Sequence, residues 1–194
     1  MQSERKTSKW LASLATAAIV ALFGCLMVGY FVPTYEGTDQ NGYLCSARRI
    51  ALTGSAAKHT TNPLEYVTGN VVKTDANLFY AKYPLGYPWL CAAAYRLGGP
   101  AMAFVVNPLL AALAIIGIFL LARALVNTYA GVLAAILLAT SPWHTYFGLS
   151  ALSHSGAIAF AIWGMYYLWR WVETGGRGNA LAAGVLTAYT CTIR

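Results

Sequence analysis

Apolar and polar positions along this chain fall into long blocks and do not alternate. A polar, basic start with Arg5, Lys6 and Lys9 gives way at Trp10 to an apolar run that continues to Val32. Such a run can cross about 30 Å of hydrocarbon with some tilt. It exceeds the hydrophobic stretch of a signal peptide, and no A-x-A cleavage pattern follows it. Residues 10–32 therefore read as a retained first span, and residues 1–9 as a cytoplasmic N-terminus. Further apolar blocks predict spans at about 101–122, 128–147, 155–170 and 179–193.

Between the first and second of these spans lies a long polar segment, residues 33–100. Its early part, YLCSARRIALTG, places Tyr43, Ala47 and Ile50 at helical spacing, with Gly54 as a stop. From Ser55 to Asn77 the chain is polar, with turn signals at Asn62–Pro63 and Gly69–Asn70, and no regular structure is expected there. Residues 84–98 are apolar but short, interrupted by Pro84, Gly86 and Pro88, and they carry Arg96. Charge placement decides their role. If 84–98 crossed the membrane, Arg123, Arg170 and Arg177 would all fall outside, against the positive-inside tendency. The segment is therefore read as a re-entrant or surface helix on the outer face. A second outer segment spans 141–156. The expected fold is an all-α integral membrane protein of about five transmembrane helices, whose large first outer loop contains juxtamembrane or re-entrant helices.

Composition agrees. The chain is 58% hydrophobic and only 10% charged, against about a quarter charged in soluble domains. Its net charge of +7 is spread over loop ends and forms no nucleic-acid arm, so it is assigned to membrane orientation. Cys25, Cys45, Cys91 and Cys191 lack metal-site spacing; Cys25 and Cys191 read as packing residues, and Cys45 and Cys91 as free thiols, with a Cys45–Cys91 disulfide as the alternative. The spans are almost free of ionisable residues, which argues against a small transporter.

Four of the six acidic residues lie in the first loop: Glu36, Asp39, Glu65 and Asp75. Asp39 could cap the helix that follows it or act as a general base. Lys82 could reach lipid headgroups or pair with a phosphate as a point charge. One of Arg48 and Arg49 could face a phosphate and the other water, while Arg96 reads as an interfacial anchor. Tyr80, Tyr83, Tyr87, Trp89, Tyr95, Trp143, Tyr146 and Phe147 read as an aromatic belt, with stacking on a sugar as the alternative for one or two of them. His144 and His154 lack the i,i+4 pairing of metal helices. A divalent cation shared by Asp39 and His154 is left open, and no other cofactor is implied.

In order, these segments resemble a known family. Asp39 lies in GTDQNGYLCSARRIALTG shortly after the first span, and a KYPLG box follows from Lys82 to Gly86. Next come GGPAMAFVVNPLLAALAIIGIFLLARAL and, after a further span, ATSPWHTYFGLSALSHSGAIAF. From about Trp10 onward the chain resembles the N-terminal membrane module of GT-C glycosyltransferases of the bacterial protein O-mannosyltransferase and lipid A aminoarabinose transferase group. The resemblance implies transfer of a sugar from a polyprenyl-phosphate carrier to an acceptor on the outer face of a bacterial inner membrane. It makes Asp39 the catalytic acid residue and Lys82 a ligand of the carrier phosphate, with Arg48, Arg49, Tyr83 and His154 as further substrate contacts. The family often has Asp-Glu at the first acid, where this chain has Asp39–Gln40. Its members are usually much longer, which implies a fragment or a second polypeptide supplying the rest. The alternative is a non-catalytic membrane module that binds a lipid-linked substrate or a partner subunit.

Overall fold

The computed structural model describes residues 2–34, 37–59, 71–73 and 78–194. Helix α1 is Gln2–Tyr30, α2 is Thr38–Thr53, and three short strands follow: β1 Lys58–His59, β2 Val71–Lys73 and β3 Leu78–Ala81. The remainder is helical: α3 Gly86–Leu125, α4 Thr128–Ala139, α5 Pro142–Leu149, α6 His154–Thr174 and α7 Arg177–Ile193. Glu36, Glu65 and Asp75 and both expected turns, at Asn62–Pro63 and Gly69–Asn70, lie outside the described residues.

Among the described residues, two helices are long and apolar enough to cross a membrane: α1 over Trp10–Tyr30, and α3. A third crossing exists if α4 and α5 form one bent span. The expected single span over 128–147 is in fact broken by a 61° bend. The cause is local. Ser141 takes the N-cap position, accepting from the His144 backbone N–H, and Pro142 occupies the first helical turn, so a new helix starts where hydropathy alone predicts continuation. Helices α6 and α7 do not meet the same measure of length and hydropathy.

The second departure is in the loop, where no regular structure was expected. β3 is the centre of a three-stranded antiparallel sheet in the order β1-β3-β2, with Val72 opposite Tyr80 and Lys58 opposite Phe79. β-branched and aromatic residues favour such pairing, but the strands are only two to four residues long, too short for a periodic signal.

α3 is two helices. Gly98 and Gly99 leave helical geometry, and Gly99 takes φ +71, a left-handed value that favours glycine. Pro100 then opens the second half. The first half folds back. The Tyr189 hydroxyl donates to the Gly86 carbonyl at 2.9 Å, while Gly156 touches both Ile193 and Leu110. The last two turns of α7 thus meet both Gly86 and the neighbourhood of Leu110, which a straight helix would hold about 36 Å apart. Residues 86–97 accordingly lie over the same end of the bundle as the top of the second half. Helix α2 packs on them through Tyr43, Ala47, Ile50 and Ala51 against Tyr87, Cys91 and Ala92. Arg96 is no simple interfacial anchor, because its guanidinium donates to the carbonyls of Ala51 (2.9 Å) and Ile50 (3.3 Å). It closes the C-terminal end of α2, whose last turn has no basic residue of its own. Gly54 ends α2 in the left-handed conformation, as its position predicts.

Below this surface hairpin the helices run as a bundle. α3 and α6 run parallel: Leu110 lies by Gly156, and Gly117 by Ile162 and Trp163. α1 runs the other way: Phe23 and Met27 lie near Gly148 and Ala111, and Tyr30 lies by Ser150, whose carbonyl meets Asn107. Arg123, Arg170 and Arg177 therefore gather at one end of the bundle, the end from which α1 rises.

Asn107 is the polar centre of the bundle. It is 1% exposed, and its carboxamide nitrogen donates to the carbonyls of Phe147 (3.2 Å), Ser150 and Leu152 (2.7 Å). Those carbonyls belong to the end of α5 and the corner before α6, beyond the regular helical ladder; that of Ser150 also accepts from the Leu152 backbone N–H at 2.8 Å. Replacing Asn107 by Leu should leave the Phe147 and Leu152 carbonyls without this donor, at a cost of about 1–3 kcal/mol. Thermal unfolding in detergent should show a clearly lowered midpoint, whereas Leu109→Ala on the exposed face should shift it little.

Candidate functional site

The end of the bundle opposite the arginines carries the polar groups. Asp39 sits in the first turn of α2, at the positive end of the helix dipole. It does not cap that helix: Gly37 is the N-cap residue and makes no side-chain cap bond. The Asp39 carboxylate instead accepts a hydrogen bond from the Tyr83 phenol, 44 residues away. This contact is possible because the tyrosine ring lies across α2 at Gly42, where a β-carbon would come within 2.7 Å of the ring. The Tyr83 ring also packs on Tyr43 (4.6 Å between centroids), and Tyr43 meets Tyr87 edge-on at 5.2 Å. The Tyr43 hydroxyl shares a buried 3.1 Å hydrogen bond with Ser153. A line of contacts thus runs from Asp39 through Tyr83 and Tyr43 to Ser153 at the head of α6.

Lys82 is exposed and precedes Tyr83, so its backbone lies beside the Asp39 contact. His154, next to Ser153, is brought to the same end. Its ring stacks flat on Phe147 at 4.1 Å with 2° between planes. Arg48 and Arg49 are not part of this grouping. Nine and ten residues after Asp39 on one helix, they lie about 13–15 Å further along its axis. Arg48 is exposed, and Arg49 is half-buried with an Nε that has no partner among the described residues.

His144, paired with His154 in the sequence, is a core residue. It is 2% exposed, its Nε2 lies 3.1 Å from the Ala111 carbonyl, and its ring stacks on Phe23. It ties α5 to α3 and α1. Among the described residues, no group of three or more His, Cys, Asp or Glu is placed to hold a metal ion. All four cysteines are free; Cys91 is fully buried, while Cys45 is exposed and donates to Asn41. Cys25 and Cys191, expected as packing residues, are exposed. The aromatic belt divides. Trp89 and Trp143 face outward, whereas Tyr87 is completely buried in the hairpin core.

Beside Asp39 the structure opens a cleft of about 260 Å³. Tyr30, Val32 and Thr34 line one side, Tyr146, Leu149 and Ser150 the other, and Gln40 sits between them. Successive residues on a helix point about 100° apart, so Asp39 turns to Tyr83 while Gln40, only 6% exposed, turns into the cleft. A second groove, lined by Leu110, Leu113, Phe160 and Trp163 among others, is almost wholly apolar and lies on the flank of the bundle between α3, α6 and α7.

Gly42, Ser153 and Asn107 were not singled out by the sequence; Tyr43 was read only as part of a helical pattern, and Gln40 only as the residue after Asp39. Asn107 carried a usable signal, since a carboxamide within an apolar run is a functional candidate by default. Gly42 carried none, because the ring it accommodates comes from far along the chain. Comparison of the chain with family models, curated proteins and solved structures finds no match.

Burial, the hydrogen bond to Asp39 and the charge of that carboxylate hold the Tyr83 phenol above its ordinary value of 10.0. The folded value exceeds the unfolded one, so the stabilisation is complete below pH 10 and is lost only as pH climbs through the higher folded value. Alkaline absorbance titration of wild type against Tyr83→Phe should show the missing tyrosine titrating later than exposed tyrosines. Gly42→Ala, by pushing the ring off α2, should return it toward the ordinary range.

Proposed function

We propose that this chain is the membrane portion of a glycosyltransferase that moves a sugar from a polyprenyl-phosphate carrier to an acceptor hydroxyl at the outer face of a bacterial inner membrane. On this reading it crosses about five times, with α4–α5 as one broken crossing and the N-terminus in the cytoplasm. The observation that carries the reading is the meeting of Asp39 and Tyr83 at an exposed corner with Lys82 next in the chain. That corner lies at the opposite end of the bundle from Arg123, Arg170 and Arg177. Positive residues favour the cytoplasmic side, which supports an outward-facing site.

The chemistry follows from those groups. The Tyr83 phenol engages the Asp39 carboxylate and fixes its orientation, leaving acceptor capacity for a substrate hydroxyl. Asp39 takes the proton of that hydroxyl as its oxygen attacks the anomeric carbon. The bond from that carbon to the carrier phosphate breaks, and the phosphate leaves with the electron pair. Lys82 offsets the charge that builds on it. Attack opposite the leaving group inverts the anomeric centre.

One observation favours a non-catalytic module that binds a lipid-linked substrate or a partner subunit. Gln40 places a buried carboxamide where the resembled family often has its second carboxylate.

In membranes carrying the intact protein, Asp39→Asn should lower transfer of radiolabelled sugar from a prenyl-phosphate donor by about 100-fold or more, with the amount of inserted protein unchanged. Retained transfer would remove Asp39 from the mechanism, and absence of transfer by the wild type would favour the binding module. Cysteines substituted at Lys82 and at Arg123 should label from opposite sides of the membrane. Labelling from one side would overturn the topology.

A further inference from the structure

We infer that the cleft beside Asp39 is a subsite for one uncharged pyranose ring, the sugar of the lipid-linked donor. This deepens the glycosyltransferase reading and rests on it.

Four observations converge. The first is place: Gln40 follows Asp39 in the chain, so a ring held in the cleft lies one residue from the proposed base. The second is size. About 260 Å³ falls just below the ~300 Å³ at which drug-sized pockets begin, room for a single sugar ring.

The third is the lining. Tyr30, Thr34, Tyr146 and Ser150 are hydroxyl-bearing residues, and the buried Gln40 carboxamide can donate and accept at once. That pairing suits neighbouring hydroxyl groups, each of which is also donor and acceptor. Tyr146 is braced by Trp143 and Phe147, with centroids 6.1 and 5.4 Å away, so it offers a fixed aromatic face to the C–H side of a ring.

The fourth is charge. Among the described residues, those lining the cleft include none that is charged. Among those residues an amino sugar or a uronic acid would find no counter-ion, the neighbouring Asp39 carboxylate being turned to Tyr83. A neutral hexose needs none.

The test is direct binding by titration calorimetry to the intact protein in lipid nanodiscs. The probes are short-chain prenyl phosphate alone and the same carrier bearing a neutral hexose, an amino sugar or a uronic acid. The hexosyl carrier should bind about tenfold tighter than the bare carrier, the equivalent of one good added polar contact. Gln40→Ala and Tyr146→Ala should each erase that difference while leaving the bare carrier's affinity unchanged. Gln40→Glu should shift preference to the amino sugar. Equal binding of bare and hexosyl carriers, or of charged and neutral sugars, by the wild type would overturn the proposal. So would unchanged sugar preference in both alanine variants, even if the protein transfers sugar. If the hexose is recognised through Gln40 and Tyr146 but no transfer occurs, the catalytic reading fails and the sugar subsite stands.

Discussion

A buried main-chain carbonyl left without a donor is costly, and at the corner between α5 and α6 the carbonyls of Phe147, Ser150 and Leu152 lie beyond the regular helical ladder. Asn107 meets that demand from a neighbouring helix. Because the corner is held, the end of α5 and the start of α6 keep fixed positions against α3. Tyr146 and Ser150 then form one wall of the cleft, and Ser153 is in place to meet Tyr43. A single carboxamide thus carries the geometry from the interior of the bundle to its polar end. Its neighbour Pro108 adds to the irregularity of α3 by withholding one backbone donor.

The polar end is built by a hairpin laid over that framework. The fold-back at Gly98–Gly99 brings residues 86–97 across the top of the bundle, and α2 packs on them. Asp39 and Tyr83 come from the two sides of this arrangement. Neither helix alone brings the acid and the phenol together; the pairing is a property of their packing.

Much of this was legible in the chain because it is written in local signals. The first span and the helix ending at Gly54 follow from periodicity and glycine, whereas Pro84, Gly86 and Pro88, read as interrupting a helix, stand before and within the first turn of α3, whose break comes at Gly98–Gly99. Residues 84–98 were read as a surface or re-entrant helix from the placement of Arg123, Arg170 and Arg177, and the fold-back has those arginines at the far end of the bundle. The break at Thr140–Ser141 was missed because hydropathy averages over it, although Ser141–Pro142 is a strong helix start. The strands were missed because each is stabilised by a partner distant in sequence. The same limit applies at the site. Asp39 could be singled out as chemistry, but which group would face it depended on Gly42 leaving room for a ring from the other side of the loop. Arg96 was misread for the opposite reason: its position suggested lipid, while its partners are the last carbonyls of α2.

That arginine latch has a mechanical consequence. A guanidinium presents its N–H donors as a planar, rigid fork, so Arg96 grips two successive carbonyls of α2 at once and fixes how that helix lies on residues 86–97. The two helices are joined by this latch and by an interlocked apolar seam, and the bonds from Tyr43 to Ser153 and from Tyr189 to Gly86 pin the joined pair to α6 and α7, so it is moored at points other than the paired glycines.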